Sequence, residues 1–278
     1  MKNALSLGTF DGVHIGHRAV LDMPKNCRRI AVTFEIPPKA VFSGKKELIM
    51  TAEDKISALK NIGIDEVLIL DFNAVKDMEP QDFLLDLWNR YKPQFISCGF
   101  NYRFGKNAMG DTSLLKQFCD EKGIEFCVSE PVKSNGETVS SSNIRDLLKN
   151  GEIAKANNLL TLPFSFEGEV IKGAQRGRSI GFPTINQKYP EELVKLKFGV
   201  YKTRVIFDGE SHIGITDIGI RPTFENDFVI SETYIKDYSG DLYGKKIRIE
   251  PIEFIREEKK FSGLDELKQQ INEDLRRL

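Results

Sequence analysis

The chain has 278 residues, 40 of them basic and 41 acidic, giving a net charge of −1. That length favours two domains over one, and the even balance separates it from non-specific nucleic-acid binders, which carry a basic excess. No run approaches the roughly 20 apolar residues of a membrane span, and Asp11 and His14 interrupt the apolar stretch after Lys2, so neither a membrane partner nor a signal peptide is expected. The cysteines, Cys27, Cys98, Cys119 and Cys127, have no CxxC spacing and read as reduced thiols of a cytoplasmic protein. Histidine is scarce, yet His14 and His17 stand three residues apart near the N-terminus.

In chain order, Ala4–Leu7, Arg29–Phe34, Glu66–Phe72, Gln94–Cys98 and Ile124–Val128 are short apolar runs expected to be strands. Helical spacing lies between them. Thr51 starts a helix with Ile56, Leu59 and Ile62 on one face; Pro80 opens a second through Phe83, Leu84, Leu87 and Trp88; Leu114, Leu115 and Phe118 mark a third. This alternation predicts an α/β domain, a parallel sheet covered by helices on both faces, with its ligand outside the carboxyl ends of the strands. A helical linker follows, roughly 142–160. Beyond it Phe164, Phe166 and Val170, then Tyr201, Val205 and Phe207, then Ile247 and Ile249 alternate with polar residues, and Asp208-Gly209 and Ser239-Gly240 supply turns. The expectation is a small antiparallel β-barrel closed by a terminal helix, with Ser262 as N-cap and Leu264, Leu267, Ile271 and Leu275 on one stripe. The domains are expected at 1–158 and 159–278.

The string Leu7-Gly8-Thr9-Phe10-Asp11-Gly12-Val13-His14-Ile15-Gly16-His17 follows the first strand and opens a helix. Backbone N–H groups and the positive helix end favour a phosphate there, and Gly8, Gly12 and Gly16 let backbone approach a ligand. His14 and His17 can present ring N–H groups to phosphate oxygens. A plain structural loop is the alternative. Ser140-Ser141-Ser142 with Arg145 one turn in can form a second phosphate clamp or a simple N-cap. Asn101 can read a polar edge of a nucleotide or flavin.

These segments resemble the HIGH-type nucleotidylyltransferases and, more closely, the N-terminal half of the prokaryotic bifunctional riboflavin kinase/FAD synthetases. Cys98-Gly99-Phe100-Asn101-Tyr102-Arg103-Phe104-Gly105 is similar to the family's G-x-[DN]-F-x-F-G segment, and Val139–Arg145 to its I-S-S-T-x-I-R segment. The resemblance implies a Rossmann-like domain that transfers adenylyl from ATP to FMN, giving FAD and pyrophosphate. It assigns Gly8, Phe10, Asp11, Gly12, Gly16, Ser141, Ser142 and Arg145 to ATP, and Asn101 and Arg103 to flavin or nucleotide. Two departures leave the detailed flavin and adenine contacts open. Phe34-Glu35-Ile36-Pro37-Pro38 lacks the histidine of the family's Phe-x-Pro-His-Pro, and Ala108 stands where many members have arginine.

The second informative string is Gly168–Asn186, with Gly173, Gly177, Gly181, Arg176 and Arg178 in a loop that can wrap a polyphosphate. Thr184 and Asn186, two apart on an extended chain, share a face and offer hard oxygen donors suited to Mg²⁺. A glycine-rich hairpin is the alternative. The string resembles the flavokinase signature, with Ile185 in place of alanine. Ile218–Phe224, Ser231–Gly244 and Arg256 with Lys260-Phe261 follow in family order. The resemblance implies phosphorylation of riboflavin to FMN, with Glu232 as general base and Arg256 near the flavin. The residues alone do not pick Glu232 over Glu225 or Glu250. Phe224, Tyr238 and Phe261 can flank a flavin ring or simply fill core.

The expectation is therefore a cytoplasmic two-site enzyme of flavin cofactor synthesis, with riboflavin, FMN, FAD, ATP and Mg²⁺ as ligands and no nucleic acid. Its oligomeric state is not set by sequence. The alternatives are a chain with one activity retained or a non-catalytic flavin-binding protein.

Overall fold

The computed structural model describes residues 2–173, 177, 181–221 and 228–278. Arg176, Arg178, Phe224 and Glu225 lie outside the described residues. The chain forms two compact units, residues 1–143 with 159–162, and residues 144–158 with 163–278.

The first unit runs β1 (Asn3–Leu7), α1 (Ile15–Val20), β2 (Arg28–Phe34), α2 (Pro38–Ser43), α3 (Ala52–Asn61), β3 (Glu66–Leu70), α4 (Phe72–Val75), α5 (Pro80–Tyr91), β4 (Phe95–Gly99), α6 (Thr112–Lys122) and β5 (Glu125–Ser129). The five strands pair in parallel in the order β3-β2-β1-β4-β5. The chain starts in the centre, builds one side through β2 and β3, then crosses to β4 and β5. The loops after β1 and β4 therefore part company at the topological switch point, where open parallel sheets bind ligands.

Both faces of the sheet are apolar because both are covered. Leu5, Leu7, Ile30 and Val32 pack with Leu84, Leu87, Leu115 and Phe118 on one face, and Ala4 and Ala31 with Val20, Ala58 and Leu59 on the other. Two buried hydroxyls fix α1 to this sheet. Ser6 Oγ and Ser97 Oγ donate to the Val20 carbonyl at 2.8 and 2.7 Å. Thr51 caps α3 through the Asp54 N–H, as its spacing predicts. The run expected to be strand to Phe72 ends at Leu70, because Asp71 accepts the Asn73 N–H and caps α4.

A short hairpin, β6 (Lys133–Ser134) and β7 (Glu137–Thr138), precedes α7 (Ser141–Lys149) and α8 (Ile153–Leu159). Residues 144–158 of these helices fold with the second unit, where Asn157 Nδ2 donates to the Pro251 carbonyl at 3.2 Å.

The second unit contains β8 (Phe166–Ile171), β9 (Thr184–Lys188), β10 (Gly199–Phe207), β11 (Glu210–Arg221), β12 (Phe228–Ile235), β13 (Lys246–Arg256) and α9 (Leu264–Leu275). The strands close a barrel in the order β10-β11-β12-β9-β8-β13, antiparallel at every pairing. Closure removes exposed strand edges. Asp208-Gly209 forms the β10–β11 turn with both residues at positive φ, the geometry that matches strand twist. Inside lies a ladder of buried hydroxyls: Thr203 to Thr216 and Thr216 to Thr233, each at 2.9 Å.

One detail of α9 differs from expectation. Gly263 rather than Ser262 is the N-cap. Ser262 instead donates its N–H and Oγ–H to Glu266 Oε2 at 2.9 and 2.8 Å, so the carboxylate reaches back to brace the helix start. Arg256 gives its guanidinium to Asp274 of α9 through three hydrogen bonds of 2.8 to 3.1 Å. With the Asp274 side chain only 5% exposed, this pair locks α9 to the barrel. Asp274→Ala is expected to destabilise the second unit by about 3 kcal/mol, because it strands a partly buried guanidinium, whereas Arg256→Met with Asp274→Leu costs less. Urea unfolding of the three proteins checks the order.

Candidate active sites

In the first unit, β1 lies between β2 and β4, and Leu7 pairs with Cys98. That register sets the loop from Gly8 beside the loop from Gly99, so the sheet brings the histidine string and the Asn101–Arg103 segment to one end. The β1–α1 loop is tightly wound. Phe10 and Val13 hold φ of 47° and 38°, and Gly12 holds 87°. Non-glycine residues in that region cost on the order of 1–3 kcal/mol each, a strain typical of functional loops. An added Cβ at Gly8 would meet the Phe10 ring at 2.7 Å, which explains the glycine.

His14 and His17 cap each other at the start of α1. The His14 Nδ1 accepts the His17 N–H at 3.2 Å, and the His17 Nδ1 accepts the His14 N–H at 3.3 Å. The rings stack with centroids 3.5 Å apart. Because both Nδ1 atoms are acceptors, each neutral ring carries its proton on Nε2 and can donate from there. Burial, the neighbouring His14 ring and the Lys55 ammonium hold the His17 pKa well below the ordinary 6.5. Phe10 and Asp11 turn inward. Phe10 is fully buried and packs edge-on against His17, with centroids 5.4 Å apart. Asp11 Oδ1 accepts the Ile49 N–H at 3.0 Å. These two residues shape the loop from behind.

The serine segment divides its work. Ser140 Oγ accepts the Asn143 N–H at 3.2 Å and caps α7. Ser141 Oγ donates to the Asp11 carbonyl at 2.9 Å, which brings this segment to the histidine loop. Ser142 is exposed, and Arg145 lies a turn further along α7. After β4, Asn101 is exposed and Arg103 pairs with Asp111 at 3.4 Å. Lys55 was not legible as a site residue in the sequence. It is buried on α3, and its Nζ donates to the carbonyls of Phe34 at 2.6 Å, and Thr9 and Glu35 at 3.3 Å. It sits at an ordinary helix position, so only the tertiary contacts reveal it.

In the barrel, register gathers the second site. Asn186 of β9 pairs with Glu232 of β12, and Glu232 with Asp217 of β11, while Thr184 pairs with Tyr234. Directly paired residues share a face with Cβ atoms about 5 Å apart, so Thr184, Asn186, Glu232 and Asp217 line one face. Thr233 and Ser231 occupy the other face and are buried. Asn186 Oδ1 and Asp217 Oδ1 are buried without a hydrogen-bond partner. Gly173 and Gly177 lie against residues of this segment. A Cβ at Gly173 would strike the Asn186 amide, and one at Gly177 would strike the Phe182 carbonyl and lie 3.5 Å from Thr184 Oγ1. Gly181 takes φ of 89°.

Two residues here were missed by sequence reasoning. Arg221 stands 3.8 Å from Glu232 Oε1. Asp217 is pushed from 3.8 to about 6 by burial and by nearby Glu258, with Arg256 opposing. Among the described residues no group of three or more His, Cys, Asp or Glu is arranged to hold a metal.

The depressed His17 pKa fixes a pH dependence. Above 6.5 both folded and unfolded His17 are neutral, and its contribution is complete. Below 6.5 the unfolded chain takes up the proton first, so stability falls until the folded pKa is passed. The first unit is expected to unfold at lower urea at about pH 5.5 than at about pH 7.5, and His17→Gln reduces the difference. Fluorescence-monitored urea curves at the two pH values check it.

A family model described as FAD synthetase matches residues 1–143, and one described as riboflavin kinase matches residues 160–278. A Listeria monocytogenes protein named bifunctional riboflavin kinase/FMN adenylyltransferase is 32% identical over 285 residues, covering 99% of this chain and 90% of its own. An Escherichia coli K12 protein of the same name is 34% identical, covering 97% of this chain and 90% of its own. A crystal structure from Streptococcus pneumoniae, described as a macrolide-efflux protein, superposes with a TM-score of 0.91 at 26% identity, over 99% of this chain and 93% of that one. Its name speaks of efflux, whereas among the described residues here no helix is long and apolar enough to cross a membrane. The architecture, both family matches and the full-length likeness to the curated relatives agree: this chain belongs to the bifunctional riboflavin kinase/FMN adenylyltransferase family.

Proposed function

We propose that the chain makes FAD in two ATP-dependent steps at two separate sites, within domains 1–158 and 159–278. The barrel phosphorylates riboflavin, and the parallel-sheet domain adenylylates the resulting FMN. The observation that supports this reading is the paired row Asn186–Glu232–Asp217, in which the carboxylate we assign as general base is paired with a residue whose amide oxygen is unpartnered.

In the kinase step the primary alcohol of the ribityl chain attacks the γ-phosphorus of ATP. The new O–P bond forms as the β,γ-bridging bond breaks, and ADP leaves. Glu232 accepts the hydroxyl proton, and Arg221 orients its carboxylate. Gly173, Gly177, Arg178 and Gly181 form the phosphate loop. The Asn186 Oδ1, buried and unpartnered, fits a hard cation, and Thr184 adds a second oxygen. Bound there with the nucleotide, Mg²⁺ supplies charge neutralisation for the β- and γ-phosphates.

In the adenylyl step an FMN phosphate oxygen attacks the α-phosphorus of ATP, and pyrophosphate leaves. No protein nucleophile is required. The Nε2–H groups of His14 and His17, with backbone N–H groups at Gly8, Gly12 and Gly16, stabilise charge on the transferred phosphoryl and the leaving group. Ser141, Ser142 and Arg145 clamp the nucleotide, and Asn101 and Arg103 meet the flavin or the adenine. Phe10 and Asp11 hold the loop in shape. We place the protein in the cytoplasm, which suits its free cysteines.

Glu232→Gln is expected to lower riboflavin phosphorylation by roughly 10²–10⁴-fold, as loss of a general base does. FAD formation from added FMN stays at the parental rate. His17→Ala gives the reverse pattern, by about 10²-fold. Chromatographic separation of the flavins over time reads both. If the parent chain turns riboflavin into FMN but never forms FAD, the first domain's assignment falls. Chelating Mg²⁺ with EDTA abolishes both reactions, and added Mg²⁺ restores them.

A further inference from the structure

We propose that Lys55 is a positioning residue for adenylyl transfer: its buried ammonium ties the loops after β1 and β2 together and supplies fixed positive charge behind the His14–His17 pair. The inference rests on the assignment of that reaction to the histidine loop.

Lys55 is 1% exposed, and its ammonium has three N–H donors and three backbone carbonyls, those of Thr9, Phe34 and Glu35. Thr9 belongs to the β1–α1 loop, while Phe34 and Glu35 end β2 and begin the segment before α2. One cation therefore staples two loops that leave neighbouring strands at the ligand-binding end. Thr33 Oγ1 donates to the same Thr9 carbonyl at 2.8 Å. The C=O and N–H of a trans peptide point in opposite directions. A Thr9 carbonyl held by Lys55 and Thr33 thus turns the Phe10 N–H away from the ammonium. It also fixes the peptide that precedes the strained Phe10 backbone.

The charge matters as well as the hydrogen bonds. Burying an ammonium is costly unless it is satisfied, and a neutral residue would fill this position more cheaply if packing were its sole task. The charged groups acting on it are Asp11 from the β1–α1 loop and Glu35 after β2, which raise its pKa against the larger effect of burial, leaving it at about 8. Burial most of all, then His14 and Lys55, hold the His17 pKa well below its ordinary value. Neutrality is essential to the mutual cap, because protonating the His17 Nδ1 turns its acceptor into a donor and breaks the bond from the His14 N–H.

The test uses the full chain with Lys55→Met and Lys55→Gln, the latter keeping a neutral donor. Each variant is assayed for FAD formation from FMN and ATP·Mg²⁺, for riboflavin phosphorylation in the same preparation, and for folding by circular dichroism. In both variants kcat for FAD formation is expected to fall about a hundredfold, the loss that a small displacement of reacting groups produces. The KM for ATP changes less than about threefold, and riboflavin phosphorylation is unchanged. The acid limb of the kcat/KM profile for FAD formation moves up as His17 is released from its neighbour's charge. A folded variant with near-parental kcat overturns the proposal. So does a loss that merely tracks the unfolded fraction in both variants, or an acid limb that does not move. A parental chain that forms no FAD refutes the loop assignment instead.

Discussion

The first unit depends on β1 being bonded on both edges, to β2 and to β4. A central parallel strand must be apolar on both faces, and Ala4, Leu5 and Leu7 are all fully buried. The same pairing sets the polar site. Because β2 lies on one side and β4 on the other, the loop from Gly8 emerges between the loops from Phe34 and Gly99. Ser6 and Ser97, neighbours on β1 and β4, then hold the end of α1 through a single carbonyl. The histidine pair is delivered by this framework and completes it by capping the helix on which it sits.

The barrel reaches a similar end by different physics. Its interior alternates apolar residues with a hydroxyl ladder that satisfies itself, Thr203 to Thr216 to Thr233. The opposite face of the same strands carries Asn186, Glu232 and Asp217 in one row. A register slip of one residue would exchange the two sets, so the buried threonines and the polar row are fixed by one constraint. The row carries stored cost. Lifting the Asp217 carboxyl from 3.8 to about 6 corresponds to about 3 kcal/mol against its ionised form.

Much of this was legible in the residues. Strand and helix alternation, the Thr51 and Pro80 helix starts, and the change of pattern after residue 160 are local signals, read from spacing and capping chemistry. The glycine-rich strings were also local, and Gly173 and Gly177 prove to be glycines because Asn186 and the chain near Phe182 lie against them. The one error among the helix starts was local too. Ser262 looks like an N-cap, but Glu266 competes for its N–H and hydroxyl.

The sequence by itself determined the two fold classes and the family, because each depends on residues close together along the chain. Tertiary structure alone decided that Lys55 binds the Thr9, Phe34 and Glu35 carbonyls, that Phe10 and Asp11 face inward, and that Asp217 and Arg221 flank Glu232. The physical reason is the same in each case. A lysine on a helix face or an aspartate on a strand has no distinctive spacing, and its role is set by which distant strands are paired and by how much water they exclude.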